Sequence, residues 1–313
     1  MDAEARGREV GRAVPRTGTT AAGVAAASVA MFSWGFGPVI VKLTALDGVT
    51  ISFWRLWIGL AAMALAVGLA RRRLDHRALR RSLAGGVLFG VQMVFFFSAV
   101  RLTSVADVML ISALQPVLVL FVASRFGETV DVRTVGWTVL SLLGVAVVIV
   151  GSAGSPVWSL RGDLLAFASL FVWTGYWLAS KRARTAGVGA VEYMAVVTSV
   201  SALLITPVAL FWGRDVTAVR LQDWGWLALL ALVPGAGGHL LMAWAHRYVE
   251  VTASSLLMVG SPVVSVVAAW AVLGEPLGPV QAVGGLVCLA AIAAVVRRQR
   301  AAAEPVEAGP PGP

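Results

Sequence analysis

Residues Trp34–Lys42 read WGFGPVIVK, and residues Trp173–Lys181 read WTGYWLASK. These two stretches hold the only lysines in the chain, each eight residues after a tryptophan. A second landmark follows in each half: Pro116 precedes Gly127-Glu128, and Pro262 precedes Gly274-Glu275. Landmarks that recur in the same order make the chain two copies of one unit. Such a repeat constrains the architecture before any local pattern does.

Composition identifies the solvent. Of 313 residues, 58% are apolar and 13% charged, with a mean hydropathy of +0.84. A chain of this length with so few charges is a membrane protein rather than a soluble one. Crossing the hydrocarbon takes roughly 20 apolar residues as a helix, and only helices or closed barrels satisfy their own backbone in lipid. The apolar runs here are continuous and lack strand alternation, so the expected class is all-α. Ten runs can be placed. The first five are Thr20–Leu46, Thr50–Ala70, Leu83–Val100, Ser104–Phe126 and Thr134–Val150. The second five are Gly162–Ser180, Ala190–Trp212, Trp224–Ala245, Val251–Leu273 and Pro279–Val296. The domain reading is a cytoplasmic tail over 1–19, a five-helix repeat over 20–151, a second over 162–296, and a disordered cytoplasmic tail over 297–313 ending in EAGPPGP. Arg6, Arg8, Arg12 and Arg16 before an apolar run resemble a secretory signal. That run is too long for a signal core and carries the repeated Trp–Lys motif, so it reads as a retained span.

Basic residues predict the orientation. With both termini inside, the inner segments hold 19 basic residues. Four are in the tail, six lie between Arg71 and Arg81, and two are Arg125 and Arg133. The rest are Lys181, Arg182, Arg184, Arg247 and three between Arg297 and Arg300. The outer segments hold only Arg101, Arg161, Arg214 and Arg220. The positive-inside rule therefore places both termini in the cytoplasm of a multi-pass protein of the cell membrane. Five spans per copy is an odd number, so the two copies face opposite ways. Inverted repeats of this kind are typical of transporters, in which two related halves flank one central site. The net charge of +9 does not signal nucleic acid, because it resides in cytoplasmic loops such as RRRLDHRALRR. Those arginines fit the anionic headgroups of the inner leaflet, and no nucleic-acid module accompanies them. Cys288 stands alone within a span, which excludes an intrachain disulfide. No metal motif, no P-loop and no GxSxG occurs, so no cofactor or metal is expected. Transport without a phosphate-binding loop would run on an ion or solute gradient. A homodimer is left open.

In order and spacing the motifs resemble the drug/metabolite transporter superfamily, in its EamA-type two-repeat form. FSWGFGPVIVK at Phe32–Lys42, FWRLWIGLAAMAL at Phe53–Leu65 and the stretch Ala99–Glu128 carry the resemblance in the first half. GDLLAFASLFVWTGYWLASK at Gly162–Lys181 and the stretch Ala245–Glu275 carry it in the second. The resemblance spans about Ala21 to Val296. It implies ten helices and a central cavity lined by helices one to four and six to nine, with helices five and ten as scaffold. It also implies small metabolites, amino acids or drugs as cargo, often moved outward. The second copy departs in one respect, having Met194 where the first has Arg55.

Within this frame the residues that could touch a small-molecule substrate can be named. Positions i, i+4 and i+8 share a helix face, which aligns Trp34, Pro38 and Lys42, and likewise Trp173, Trp177 and Lys181. Each tryptophan then lies about 12 Å deeper than its lysine. A lysine near a helix end can snorkel, or it can line a vestibule for anionic groups. Arg55 lies a few residues inside the second span and must face protein or a cavity. Asp107 sits at similar depth in the fourth span, so an Arg55–Asp107 charge pair is expected, as a structural brace or a switch. LAGGVLFG at Leu83–Gly90, LVPGAGGHL at Leu232–Leu240, Pro116, Pro234 and Pro262 mark expected helix breaks, although small residues also serve close helix packing. Gln92, Phe96 and His239 lie nearby, and Tyr176 adds a hydroxyl to the aromatic wall. The expected substrate-binding set is Trp34, Lys42, Arg55, Gln92, Phe96, Trp173, Tyr176, Trp177 and His239. Glu128 and Glu275 are expected to hold loops. Two other classes compete with a secondary transporter or exporter of amino acids and related metabolites. A membrane-embedded lipid-modifying enzyme would need clustered catalytic groups at one interface, and the sequence has none in view. A sensory or structural membrane protein would move no solute.

Overall fold

A computed structural model describes residues 17–71, 74–115, 117–118, 132–153, 155–212, 216–217, 219–245 and 260–303. All regular structure among these is helical. The helices are α1 (Thr17–Leu43), α2 (Gly48–Leu69), α3 (His76–Leu102), α4 (Val105–Ala113), α5 (Val132–Ser152), α6 (Leu160–Thr185) and α7 (Ala190–Trp212). Then come α8 (Leu221–Leu230), a π-helical stretch Ala231–Gly237, α9 (Gly238–Ala245), α10 (Gly260–Ala268), a second π stretch Ala269–Leu273, and α11 (Pro279–Ala303).

Several of these helices start at a cap. Asp47 Oδ1 accepts from the Val49 and Thr50 amides at 2.9 and 3.1 Å, opening α2. Asp75 accepts from Ala78 N at 2.7 Å to open α3, and Ser104 accepts from Asp107 N at 3.0 Å to open α4. Each acceptor satisfies a donor that has no partner within the helix. The second π stretch stops at Gly274, whose φ of +66° is left-handed and favours glycine.

Among the described residues, six helices are long and apolar enough to cross a bilayer: Ala21–Leu43, Gly48–Leu69, His76–Leu102, Val135–Ser152, Ala190–Trp212 and Leu221–Met242. Gly260–Leu273 and Pro279–Val295 are shorter apolar helices. α6 has the length, but Asp163, Trp173, Tyr176, Trp177 and its terminal arginines dilute its hydropathy. Leu69, Leu210, Phe211, Trp212 and Leu286 are exposed on the outside of the bundle, as lipid-facing side chains are. The chain is a multi-pass membrane protein. Much of the expected fourth span, with Pro116 and Glu128, and the start of the ninth lie outside the described residues.

Most interhelical contacts pair off when first-half elements are exchanged for their second-half counterparts. α3 packs on α6 as α9 packs on α1. α3 packs on α7 as the Ala231–Gly237 stretch packs on α2, and α4 packs on α6 as α10 packs on α1. α2 with α7, α5 with α11, and α4 with α10 map onto themselves. Some contacts break the rule: α2 packs on α3, α1 on α3 and α4 on α5, with no comparable contacts between their second-half counterparts among the described residues.

Glycines set the closest approaches. A Cβ on Gly86 would meet Val200 Cβ at 2.5 Å, and the Gly86 carbonyl accepts from Ser201 Oγ at 2.7 Å. α3 runs unbroken through LAGGVLFG, so these glycines seat α7 rather than open the helix, as small residues do in membranes. The equivalent run in the second half does leave regular α geometry, at Ala231–Gly237 around Pro234. The missing amide of Pro234 cannot continue the ladder. A Cβ on Gly144 would meet Cys288 N at 2.7 Å, so α5 and α11 also pack at backbone distance.

Candidate functional site

Arg55 is the seventh residue after Gly48, about two turns into α2. Its side chain is buried, with 9% of the residue exposed. Nη1 donates to Met93 Sδ at 3.1 Å, and Cζ lies 5.6 Å from the Phe97 ring centroid. Nε has no hydrogen-bond partner among the described residues. A thioether is a weak acceptor, and a cation–π contact contributes about 0.5–2 kcal/mol. Removing a cation from water costs several kcal/mol. The guanidinium is therefore poorly compensated by the protein.

It borders a cleft of about 540 Å³, its mouth included. α2 supplies Arg55, Gly59 and Met63. α3 supplies Phe89, and α7 supplies Met194 and Thr198. Gly235 and His239 close the far wall. Arg55 and Met194 are the repeat-equivalent positions, and they meet in this one cleft. Thr206 meets Trp57 and Thr198 meets Gly59, while Trp224 meets Trp54 and Gly235 lies beside Arg55, so Ala190 and Leu240 lie at the end farther along α2 from its Asp47 cap.

An aromatic chain continues the wall across both halves. Trp34 meets His239 edge-on at 5.1 Å, Phe89 lies 6.3 Å from His239, and Tyr176 lies 5.2 Å from Phe89. Trp173 stacks on Tyr176 at 5.0 Å. Trp34 Nε1 donates to the Pro234 carbonyl at 2.6 Å, an acceptor that the π geometry presents to α1. His239 Nδ1 has no partner among the described residues. Tyr176 OH points at Met194 Sδ, 3.7 Å away. Thus Trp34, Arg55, Trp173, Tyr176 and His239 gather around one space, and Pro234 shapes it.

Four expected site residues sit elsewhere. Trp177 is 45% exposed, on the outward side of α6. Phe96 packs on Phe97 and beside the Val39–Val105–Met109 cluster. Gln92 is buried between α3 and α6, its Nε2 donating to Ser169 Oγ at 3.2 Å, while its Oε1 has no partner among the described residues. Lys42 is held in an ion pair with Glu275 at 2.5 Å and donates to the Thr103 carbonyl at 2.8 Å. Glu275 Oε2 in turn accepts from the Val105 amide at 2.9 Å. Arg101 donates to the Thr44 carbonyl at 2.9 Å, and Thr103 Oγ1 donates to Asp163 Oδ1 at 2.8 Å. This polar knot ties the C-terminal end of α1 to α3, α4, α6 and the end of the second π stretch. Lys42 already has its counter-charge, so it neither snorkels nor lines an open vestibule. Pro262 is buried in the first described turn of α10, and the turn before it, where a proline break would fall, lies outside the described residues.

The expected Arg55–Asp107 pair does not form. Asp107 Oδ1 accepts from Ser152 Oγ at 2.6 Å, its Oδ2 lies 3.4 Å from Thr103 Oγ1 as the weaker acceptor of a proton shared with Asp163, and Gln281 Nε2 donates to Ser152 Oγ at 2.6 Å. Asp107 therefore belongs to a hydroxyl-and-amide network joining α4, α5, α6 and α11, whereas Arg55 turns to the cleft between α2, α7 and the π stretch. Equal depth in the bilayer placed the two at one level but could not place them on one side of the bundle.

Sequence reasoning missed Met63 and Thr198, because an apolar residue or a threonine in a span is indistinguishable from packing. From sequence Glu275 reads as a loop anchor, and its partnership with Lys42 needs the two halves brought face to face.

Residues 21–150 and 160–297 each match the EamA-like transporter family. The chain belongs to that family. As an EamA-like protein it is a membrane transporter, and the repeat seen in its two Trp–Lys motifs corresponds to the two matched segments. It is 25% identical over 274 residues to an uncharacterized transporter of Archaeoglobus fulgidus, covering 86% of this chain and 94% of the relative. It is 23% identical over 249 residues to the uncharacterized transporter YyaM of Bacillus subtilis, covering 75% and 80%. A crystal structure with 23% sequence identity superposes with a TM-score of 0.63 over 92% of this chain and all of that one, which speaks for the fold alone. Family and relatives point to a transporter rather than an enzyme.

Proposed function

We propose that this EamA-like protein is a secondary transporter that exports small organic solutes, amino acids or related metabolites, across the cell membrane by alternating access between two inverted halves. The observation that carries this reading is a cleft shared by both halves, together with a cross-half ion pair, Lys42–Glu275, at the end of the bundle beyond Arg55. With both termini cytoplasmic, as the arginine bias predicts, that knot lies on the outer face. The cleft's Ala190–Leu240 end then points inward. The arrangement is that of a carrier closed outside, and releasing the knot while the halves rock would expose the same cleft outward.

The first test is a metabolite profile of cells and medium with and without overexpression. It should show one or a few small solutes enriched in the medium. Purified protein in liposomes should then exchange those solutes by counterflow. An unchanged profile together with no counterflow for any solute would remove the reading and favour a sensory or structural role.

A further inference from the structure

Among the described residues, the cleft carries one cation and no carboxylate. Among the residues that line it, Arg55 is the only charged side chain. Its Nε is without a partner among the described residues, and its Nη1 has only the sulfur of Met93. The repeat-equivalent position opposite is Met194, a thioether where a second arginine or an acid could have stood. Around these lie Met63, Phe89 and Leu240, all apolar. The second polar group with a free atom is His239, through Nδ1. A buried guanidinium left this way lowers the free energy of any state in which an anion fills the cleft, because charge-assisted hydrogen bonds to carboxylate are strong and bidentate.

Taken with the proposed transport function, on which it rests, the geometry points to an organic monocarboxylate of net charge −1 with an apolar body as the substrate class, its carboxylate on Arg55 and its body against Met63, Met194 and Phe89. A zwitterionic amino acid fits less well. Its ammonium would enter a space that offers no carboxylate, and a stranded cation costs more than the apolar contacts return. A dianion would bring two charges to one guanidinium.

The probes are two series of similar body and different charge: phenylpyruvate, phenylalanine and phenethylamine, then 4-methyl-2-oxopentanoate, leucine and 3-methylbutylamine. Binding to the purified full-length protein in detergent is read by thermal shift and titration, and exchange by counterflow in liposomes. The oxo acids should bind at least about tenfold tighter than the matched amino acids, and the amines weakest. Arg55→Gln should lose at least about tenfold of oxo-acid binding, and Arg55→Lys should keep part of it. Should Arg55→Gln fail to fold, Met194→Glu is the second variant. It supplies an internal carboxylate opposite Arg55 and should abolish oxo-acid binding in a folded protein.

Amino acids binding as well as the oxo acids, no member of either series binding, or undiminished oxo-acid binding in the folded variant would overturn the assignment. Failure of the transport reading looks different. The oxo acids would then bind in the expected order and lose affinity with Arg55, but none would exchange across the liposome membrane.

Discussion

Lys42 and Glu275 brace the first half against the second. Their side chains are 15% and 9% exposed, so each is largely out of water and each depends on the other. Removing one partner strands the other, at a cost of up to about 3–5 kcal/mol for a fully buried pair and less here. Lys42→Met and Glu275→Gln should therefore each lower the thermal unfolding temperature by several degrees, and the double variant should recover most of the loss. Two single variants as stable as wild type would show that the pair holds nothing. His239 and Gln92 make a second contrast. His239 lines the cleft with a free ring nitrogen, whereas Gln92 faces Ser169 between α3 and α6. His239→Leu should reduce counterflow strongly. Gln92→Leu should change stability by about 1 kcal/mol or less and leave counterflow near wild type. Equal loss in both would move the cleft's functional wall toward α6.

At the scale of elements, α5 and α11 pack mainly on each other. Their approach depends on Gly144, with Cys288 N at 2.7 Å from an added Cβ, and on Gly284, with the Gly144 carbonyl at 2.8 Å. Neither helix lines the cleft. Gly144→Leu should force the pair apart and lower stability by about 1–3 kcal/mol, as overpacking does, while the protein that remains folded keeps its substrate affinity. Measuring thermal stability and binding on the same sample separates the two, and a fall in affinity at unchanged stability would bring α5 into the transport machinery. The paired small-residue runs show where sequence reading stops. LAGGVLFG and LVPGAGGHL look alike as strings, yet α3 stays regular while Ala231–Gly237 widens into a π stretch. The difference lies in Pro234, which removes a backbone donor, and in Trp34, whose indole N–H donates to the Pro234 carbonyl. The apolar runs, the repeat and several helix starts were readable because hydropathy is a local property of the chain. The partners of Lys42, Arg55 and Asp107 were not, since depth in the bilayer is a single coordinate and says nothing about azimuth around the bundle.

For the whole molecule, the asymmetry of 19 basic residues against 4 should place both termini and the segment Arg71–Arg81, which runs into the start of α3, in the cytoplasm. Reporter fusions after residues 48, 157 and 276 should read outside, and one after residue 76 inside. Termini on opposite sides would rule out ten spans and put the Lys42 knot on the other face. That knot has a practical consequence. Lysine is so scarce here that amine chemistry becomes a spectroscopic tool. Reductive ¹³C-methylation keeps the ammonium charge and would label two side chains, Lys42 and Lys181. The Lys42 resonance would report proximity to the Glu275 carboxylate directly. Its exchange broadening on adding solute would then time the opening of the outer face without an engineered residue.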